Sequence, residues 1–388
     1  MKKALLMIIG LTSSALLYSQ ETVVFESGKD GYTSYRIPAI VKGQNGDLIA
    51  FAEGRVNDYG DYGNIDIVYK TSPDKGKTWG PLKVAVDYEK LQAGNVAPVV
   101  DLLDPQYPNG RLFIFYNTGN NHEGEVRNGK GLREVWYKTS TDNGTTWSEA
   151  VNITTQVHKP KQPQLNPEYN FSEDWRTYAN TPGHGFQFVS GVNKGRIYVA
   201  ANHNAGNPQS KNKDWNAHAF YSDDHGKTFK LSDNVPFPGT NESLAAQTGE
   251  NTVYMTSRNM QFQPKERIIS VSNDGGQTWA SSAPDPNLPD PINQAAALSW
   301  KKGNKFMLAH INTAHQQKRD NLMLRLSKDG GKTWYMNTVV AKSPEDYNKK
   351  YGSYAAYSDI VLVDKKTIGV LYEKEEYSKI NYVPVKIK

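Results

Sequence analysis

The chain has 388 residues, with 45 Lys and Arg against 40 Asp and Glu, and a formal net charge of +5. So mild a balance, with the basic residues scattered rather than clustered, gives no case for nucleic acid as a partner. There is no cysteine, which excludes disulfides, thiolate metal centres and cysteine nucleophiles, so an exported chain of this kind must rely on a large core.

Met1-Lys2-Lys3 is a basic start, Ala4 to Leu17 is mainly apolar, and Tyr18-Ser19-Gln20 resembles a cleavage region. Residues 1–20 therefore read as a secretory signal peptide, and residues 21–388 as a single exported domain, periplasmic or extracellular. The apolar run is too short for a membrane span and no other long one follows, so no membrane insertion is expected. Next, Tyr35-Arg36-Ile37-Pro38 places a charged residue among apolar neighbours at the beginning of the first strand.

Five copies of S-x-D-x-G-x-T-[WF] then punctuate the chain. Their aspartates are Asp74, Asp142, Asp224, Asp274 and Asp329, and Phe229 replaces Trp in the third. Each follows a strand-like run: Ile65 to Lys70, Glu134 to Lys138, His218 to Tyr221, Ile268 to Val271 and Leu322 to Leu326. A second extended run comes after each. Asp bonds nearby backbone N–H groups, Gly permits positive φ, and the aromatic begins the returning strand. Each box reads as a β-hairpin turn with no chemistry of its own. Repeats roughly 50–80 residues apart imply stacked sheets, hence a propeller. The Pro-rich segment 281–293 reads as a loop between blades.

Tyr35-Arg36-Ile37-Pro38 combined with repeated Asp boxes resembles the exo-α-sialidases (neuraminidases) of bacterial and animal type, over essentially the whole of residues 21–388. The resemblance implies an all-β, six-bladed β-propeller with four-stranded antiparallel blades and a central active site. It implies a monomeric enzyme without cofactor or catalytic metal. Its activity would release terminal α-linked sialic acids from glycoproteins, glycolipids and oligosaccharides, with retention.

By motif, Arg36, Arg258 and Arg319 resemble the three arginines that clamp the substrate carboxylate; a planar guanidinium fork suits that ligand. Asp61 resembles the acid/base, with Asp58 a rival and Asp66 in the following strand. Arg55 resembles the arginine near the C4 substituent, and Asn95 or Asp101 the partner of the C4 hydroxyl. Tyr357 resembles the nucleophile, with Tyr354 as the alternative; Glu242 resembles its glutamate partner, and Glu373 the residue orienting the first arginine. A tyrosine nucleophile makes electrostatic sense: an Asp or Glu ~4 Å from the substrate carboxylate would be repelled by roughly 4 kcal/mol at an effective dielectric near 20. His184 falls in a loop that is either structural or substrate-contacting. The insert 117–131, with His122, Glu123 and Glu125, is expected to shape the cleft rim without forming a metal site. A non-catalytic sialic-acid-binding propeller would lack the acid, the tyrosine or its glutamate. A transferase, or an enzyme for related keto-sugar acids, would look the same in sequence.

Overall fold

The computed structural model describes residues 21–349 and 352–387. The expected signal segment, residues 1–20, lies outside the described residues. Alternation of side chains along the central strands decides the layering. In Leu48–Arg55, Leu48, Ala50 and Ala52 pack into one apolar cluster while Ile49 and Phe51 pack into another. Val68 and its neighbours Ile67 and Tyr69 divide in the same way. A strand whose two faces are both covered must lie between neighbouring layers, as in a ring of sheets.

The first sheet has eight strands: Ser34–Lys42, Leu48–Arg55, Ile65–Ser72, Gln92–Asp101, Arg111–Gly119, Arg133–Ser140 and Val151–Asn152 in order, with Lys83–Val86 also on Ile65–Ser72. A five-stranded sheet begins at Trp175–Asn180, and two four-stranded sheets begin at Thr240–Gln247 and Ala296–Lys302. The last sheet is Ala355–Asp364, Thr367–Lys374 and Lys379–Lys386, completed by the distant Thr22–Glu26. Gln92–Asp101 meets Trp175–Asn180, Ile197–Ala205 meets Thr240–Gln247, Thr240–Gln247 meets Ala296–Lys302, Ala296–Lys302 meets Ala355–Asp364, and Ser34–Lys42 meets Ala355–Asp364, closing the ring.

The molecule is thus an all-β propeller, but the expected six four-stranded antiparallel blades are not what the described residues form. Four sheets are separate units of four or five strands, and the remaining one has eight. The cause is local. Lys83–Val86 is short and pairs only with Ile67 to Tyr69, leaving the edge at Ile65 open. Gln92 takes that edge in a parallel bridge, which fuses two strand groups. The segment expected as a Pro-rich loop is also corrected. Ser281–Pro289 is the edge strand of its sheet, where missing N–H groups cost no ladder bond.

The five boxes fold alike. In the fourth, Ser272 Oγ donates to Asp274 Oδ1 at 2.7 Å and Thr278 Oγ1 donates to Asp274 Oδ2 at 2.6 Å. They are more than turns, because each glycine lies against an aromatic ring from a strand outside its own hairpin. A Cβ on Gly276 would fall 2.4 Å from the Tyr198 ring, and one on Gly76 2.0 Å from Tyr382. Tyr198 Oη also donates to Gly276 O at 2.9 Å. The boxes therefore set the spacing between neighbouring layers.

Two stability predictions follow from these contacts. Gly276→Ala meets both a left-handed backbone (φ 85°) and the Tyr198 ring, whereas Gly28→Ala (φ 79°) meets open space. Both should lose about 1–2 kcal/mol to the backbone, and Gly276→Ala a further ~1–3 kcal/mol to overpacking, measured by urea unfolding.

The second prediction concerns pH. Burial holds His158, His203 and His310 well below the usual histidine value, and His218 at about 3. Bonds from Thr78 hold Asp74 at about 2; at Asp274 and Asp329 slight burial opposes, but the threonine bonds outweigh it and both also lie at about 2. All these folded-state values are depressed, so the unfolded chain binds more protons and stability falls as the pH is lowered. The histidine contribution is lost from about pH 6.5 downward, and the aspartate contribution between about pH 4 and 2. A urea midpoint that is flat from pH 7 to about 4.5 would show that the histidines protonate in place.

Candidate active site

The site follows from strand ends. In an antiparallel pair the start of one strand faces the end of the next: Ser34 pairs with Arg55, Thr240 with Asn259, and Ala355 with Lys374. Innermost strands therefore present their first residues, and second strands their last, at one mouth of the ring. Five innermost strands also change register at this end, between Arg36 and Ala39, Gly94 and Ala97, Trp175 and Tyr178, Thr240 and Ser243, and Ala355 and Ser358. Such bulges re-aim side chains. Together they surround a cavity of about 260 Å³.

Arg36, Arg258 and Arg319 all line this cavity, with Arg55, Asp61, Glu242, Asn95 and Tyr357. Arg36 Nε donates to Glu373 Oε1 at 2.6 Å. Burial works against the charge of Arg36, but Glu373 outweighs it and raises the pKa above the ordinary arginine value. Glu373 is fully buried and also accepts the backbone N–H of Ile37 at 2.9 Å and of Tyr357 at 3.2 Å. Arg258 Nη1 donates to Glu242 Oε2 at 2.7 Å and to Tyr357 Oη at 2.8 Å. Tyr357 Oη in turn donates to Glu242 Oε1 at 2.6 Å. Burial and the Glu242 charge push the Tyr357 phenol up against the opposing arginines, so it is neutral.

Asp61 Oδ1 is 2.7 Å from Arg55 Nη1, with its own side chain 69% exposed at the mouth. Desolvation raises its pKa, but Arg55, then Arg36 and Arg319, outweigh it and hold the carboxyl below the usual value. Arg55 is itself buried and gripped by Glu53, 2.6 Å from Nη2.

The rivals separate. Asp58 bonds Gly60 N within its own turn, and Asp66 is buried under the Tyr32 hydroxyl. Tyr354 packs edge-to-face against Tyr347 and does not line the cavity. Asn95 does line it, while Asp101 lies elsewhere, bonded to His225 and Gln187. His184 is also outside, tied to Asp359 at 2.7 Å as a structural link. In the insert, His122 caps the helix Glu123–Arg127, and Glu123 lines the cavity. Sequence reasoning missed Glu53, Gln92 and Arg133, which line the cavity, and Tyr377 beside it. For Glu53 a signal existed: it stands two residues before Arg55 and so shares its strand face. The others depend on contacts between distant strands.

The BNR repeat-like domain family (BNR_2) matches residues 26–373. The chain is 28% identical over 377 residues to the sialidase of Micromonospora viridifaciens, covering 92% of this chain and 52% of that protein. It is 26% identical over 425 residues to the sialidase of Bacteroides fragilis (strain YCH46), covering 100% of this chain and 68% of the relative. The chain thus spans about half the length of the first relative and about two thirds of the second. Its fold is similar to that of the Hadza microbial sialidase Hz136, with a TM-score of 0.76 at 23% identity over 94% of this chain and 68% of that one. With the family match running over residues 26–373, the chain belongs to the BNR repeat-like domain family.

Proposed function

We propose that this chain is a retaining exo-α-sialidase that hydrolyses terminal α-linked sialic acids from glycoconjugates through a covalent tyrosine intermediate. The observation that carries this reading is the Tyr357 hydroxyl, 2.6 Å from Glu242 and 2.8 Å from Arg258, in one cavity with Arg36, Arg319 and Asp61. Arg36, Arg258 and Arg319 bind the sugar carboxylate and fix the anomeric carbon before Tyr357. A neutral phenol approaches that anionic substrate without like-charge repulsion. As its oxygen bonds the anomeric carbon, its proton passes to Glu242 and Asp61 protonates the departing oxygen. In the second step Asp61 takes a proton from the attacking water, the tyrosyl bond breaks, and Tyr357 recovers its proton from Glu242. Two displacements leave the configuration unchanged; with a tyrosine nucleophile, sialidases depart from the carboxylate pair that most glycosidases use.

Tyr357→Phe removes one oxygen and little packing. Retaining hydrolysis of an aryl α-sialoside should fall at least ~1000-fold, with thermal stability nearly native. A fluorinated sialosyl inhibitor should label Tyr357, located by peptide mass spectrometry. A label on Tyr354, or native turnover in the variant, would end the mechanism.

Asp61→Asn should reduce turnover of sialosides with poor leaving groups by ~100-fold or more, and of activated aryl sialosides much less in the first step. Steady-state kinetics over a series of leaving-group pKa values measures the contrast. If Asp58→Asn shows this pattern and Asp61→Asn does not, the acid is misassigned.

A further inference from the structure

Arg319 differs from the other two clamp residues in how it is held. Arg36 and Arg258 stand on strands and each has a carboxylate, Glu373 and Glu242. Arg319 stands in the loop between Lys305–Thr313 and Leu322–Ser327, and has no carboxylate in ion-pair range among the described residues. Among the described residues its guanidinium makes one side-chain hydrogen bond, from Nη1 to Tyr377 Oη at 2.9 Å. The ring of Tyr377 also lies under the Arg36 guanidinium, 4.1 Å from the ring centre. Arg36 and Arg319 each lie 5.4 Å from the ring centre of Tyr357 as well. Two arginines and two tyrosines therefore interleave.

The backbone under Tyr377 is unusual. Glu375, Glu376 and Tyr377 have φ of 51°, 54° and 68°, three successive left-handed residues without a glycine. Such strain persists only where surrounding contacts enforce it. Here Glu375 N donates to Tyr354 O at 2.9 Å, Glu376 N donates to Ser353 O at 2.7 Å, and Ser27 Oγ donates to Tyr377 O at 3.0 Å. The turn is braced against the segment leading into Tyr357.

We propose that Tyr377 is a positioning residue that holds the loop-borne Arg319 in register with Arg36, so that both meet one carboxylate on the substrate. Its hydroxyl takes one N–H of Arg319 and leaves the other donors to the ligand. Its ring faces the Arg36 cation without competing for hydrogen bonds. This inference rests on the function proposed above and adds the residue that assembles the clamp.

The test is a double-mutant cycle on the full chain with an aryl α-sialoside. Tyr377→Phe keeps the ring and removes the hydroxyl. KM should rise about tenfold, the scale of one charge-assisted hydrogen bond, with kcat within about twofold. In an Arg319→Ala background the same change should have less than about twofold effect, since its target is gone. Tyr377→Leu also loses the ring beneath Arg36 and should bind more weakly than Tyr377→Phe. A native KM in Tyr377→Phe, or an equal loss in both backgrounds, overturns the proposal; a purely structural role would give the latter. Thermal melting of each variant shows whether it is folded. If the unmodified chain cleaves no α-sialoside, the proposed function itself falls, and that arm is read first.

Discussion

The centre of this ring depends on one buried carboxylate. Glu373 accepts from Arg36 Nε, Ile37 N and Tyr357 N, and so joins the first strand of the first sheet to the first strand of the last. A charge at full burial costs several kcal/mol unless donors replace its water, and three donors do so here. The same contact enforces the left-handed Ile37, at φ 59°, immediately before Pro38. That conformation turns Arg36 inward and creates the register change that follows. Loss of the carboxylate would leave Arg36 buried without its partner, a defect that typically costs about 3–5 kcal/mol. Fold and cavity are therefore held by a single interaction.

A second carboxylate repeats the device. Asp359 accepts from Ile40 N at 2.8 Å and from His184 N at 3.1 Å, and lies 2.7 Å from His184 Nδ1. It connects the last sheet, the first sheet and the segment leading into Ile197–Ala205. Where the innermost strands converge, bulges leave backbone N–H groups without ladder partners. A buried carboxylate accepts several such groups at once, which an apolar side chain cannot do. The polar interior at the ring centre is thus a consequence of its geometry, and it explains why His184 is structural although its loop lies near the site.

What the sequence made legible was local. The Asp boxes could be read because the chemistry of each turn is contained within eight residues, and the five expected strand runs all fall inside strands. Arg36, Arg55, Asp61, Glu242, Arg258, Arg319 and Tyr357 could be nominated because each sits in a short motif, and they share one cavity. Sheet membership was not legible. It turned on how far Lys83–Val86 extends along its neighbour, and so on whether Gln92 finds an open edge. Nor was Ser281–Pro289, because proline argues against a strand until its edge position is known. Tyr377 was hidden for a third reason. Its role arises from a strained turn that packs against Ile37, Ala356 and Tyr357, residues remote in sequence.

On the proposed function, the charges in the cavity bear on how a single aspartate could serve as both acid and base. In the cavity Arg36 faces Glu373, Arg258 faces Glu242, and Arg55 faces Glu53 and Asp61. Among the described residues Arg319 has only the Tyr377 hydroxyl as a side-chain hydrogen-bond partner, so the arginine clamp keeps positive charge, and that charge helps to hold Asp61 below the usual carboxylate value. On the proposed function, a substrate carboxylate entering the clamp offsets Arg36 and Arg319 together. Two of the influences that depress Asp61 are thereby weakened, while the sugar displaces water from the mouth and strengthens the desolvation that raises it. Substrate binding thus moves Asp61 toward the protonated form that the first step requires. Departure of the leaving group readmits water, and Asp61, now ionised, is ready to act as the base. On that reading, the charge on Arg319 would serve both as the recognition element for an anionic sugar and as the means by which its arrival prepares the acid.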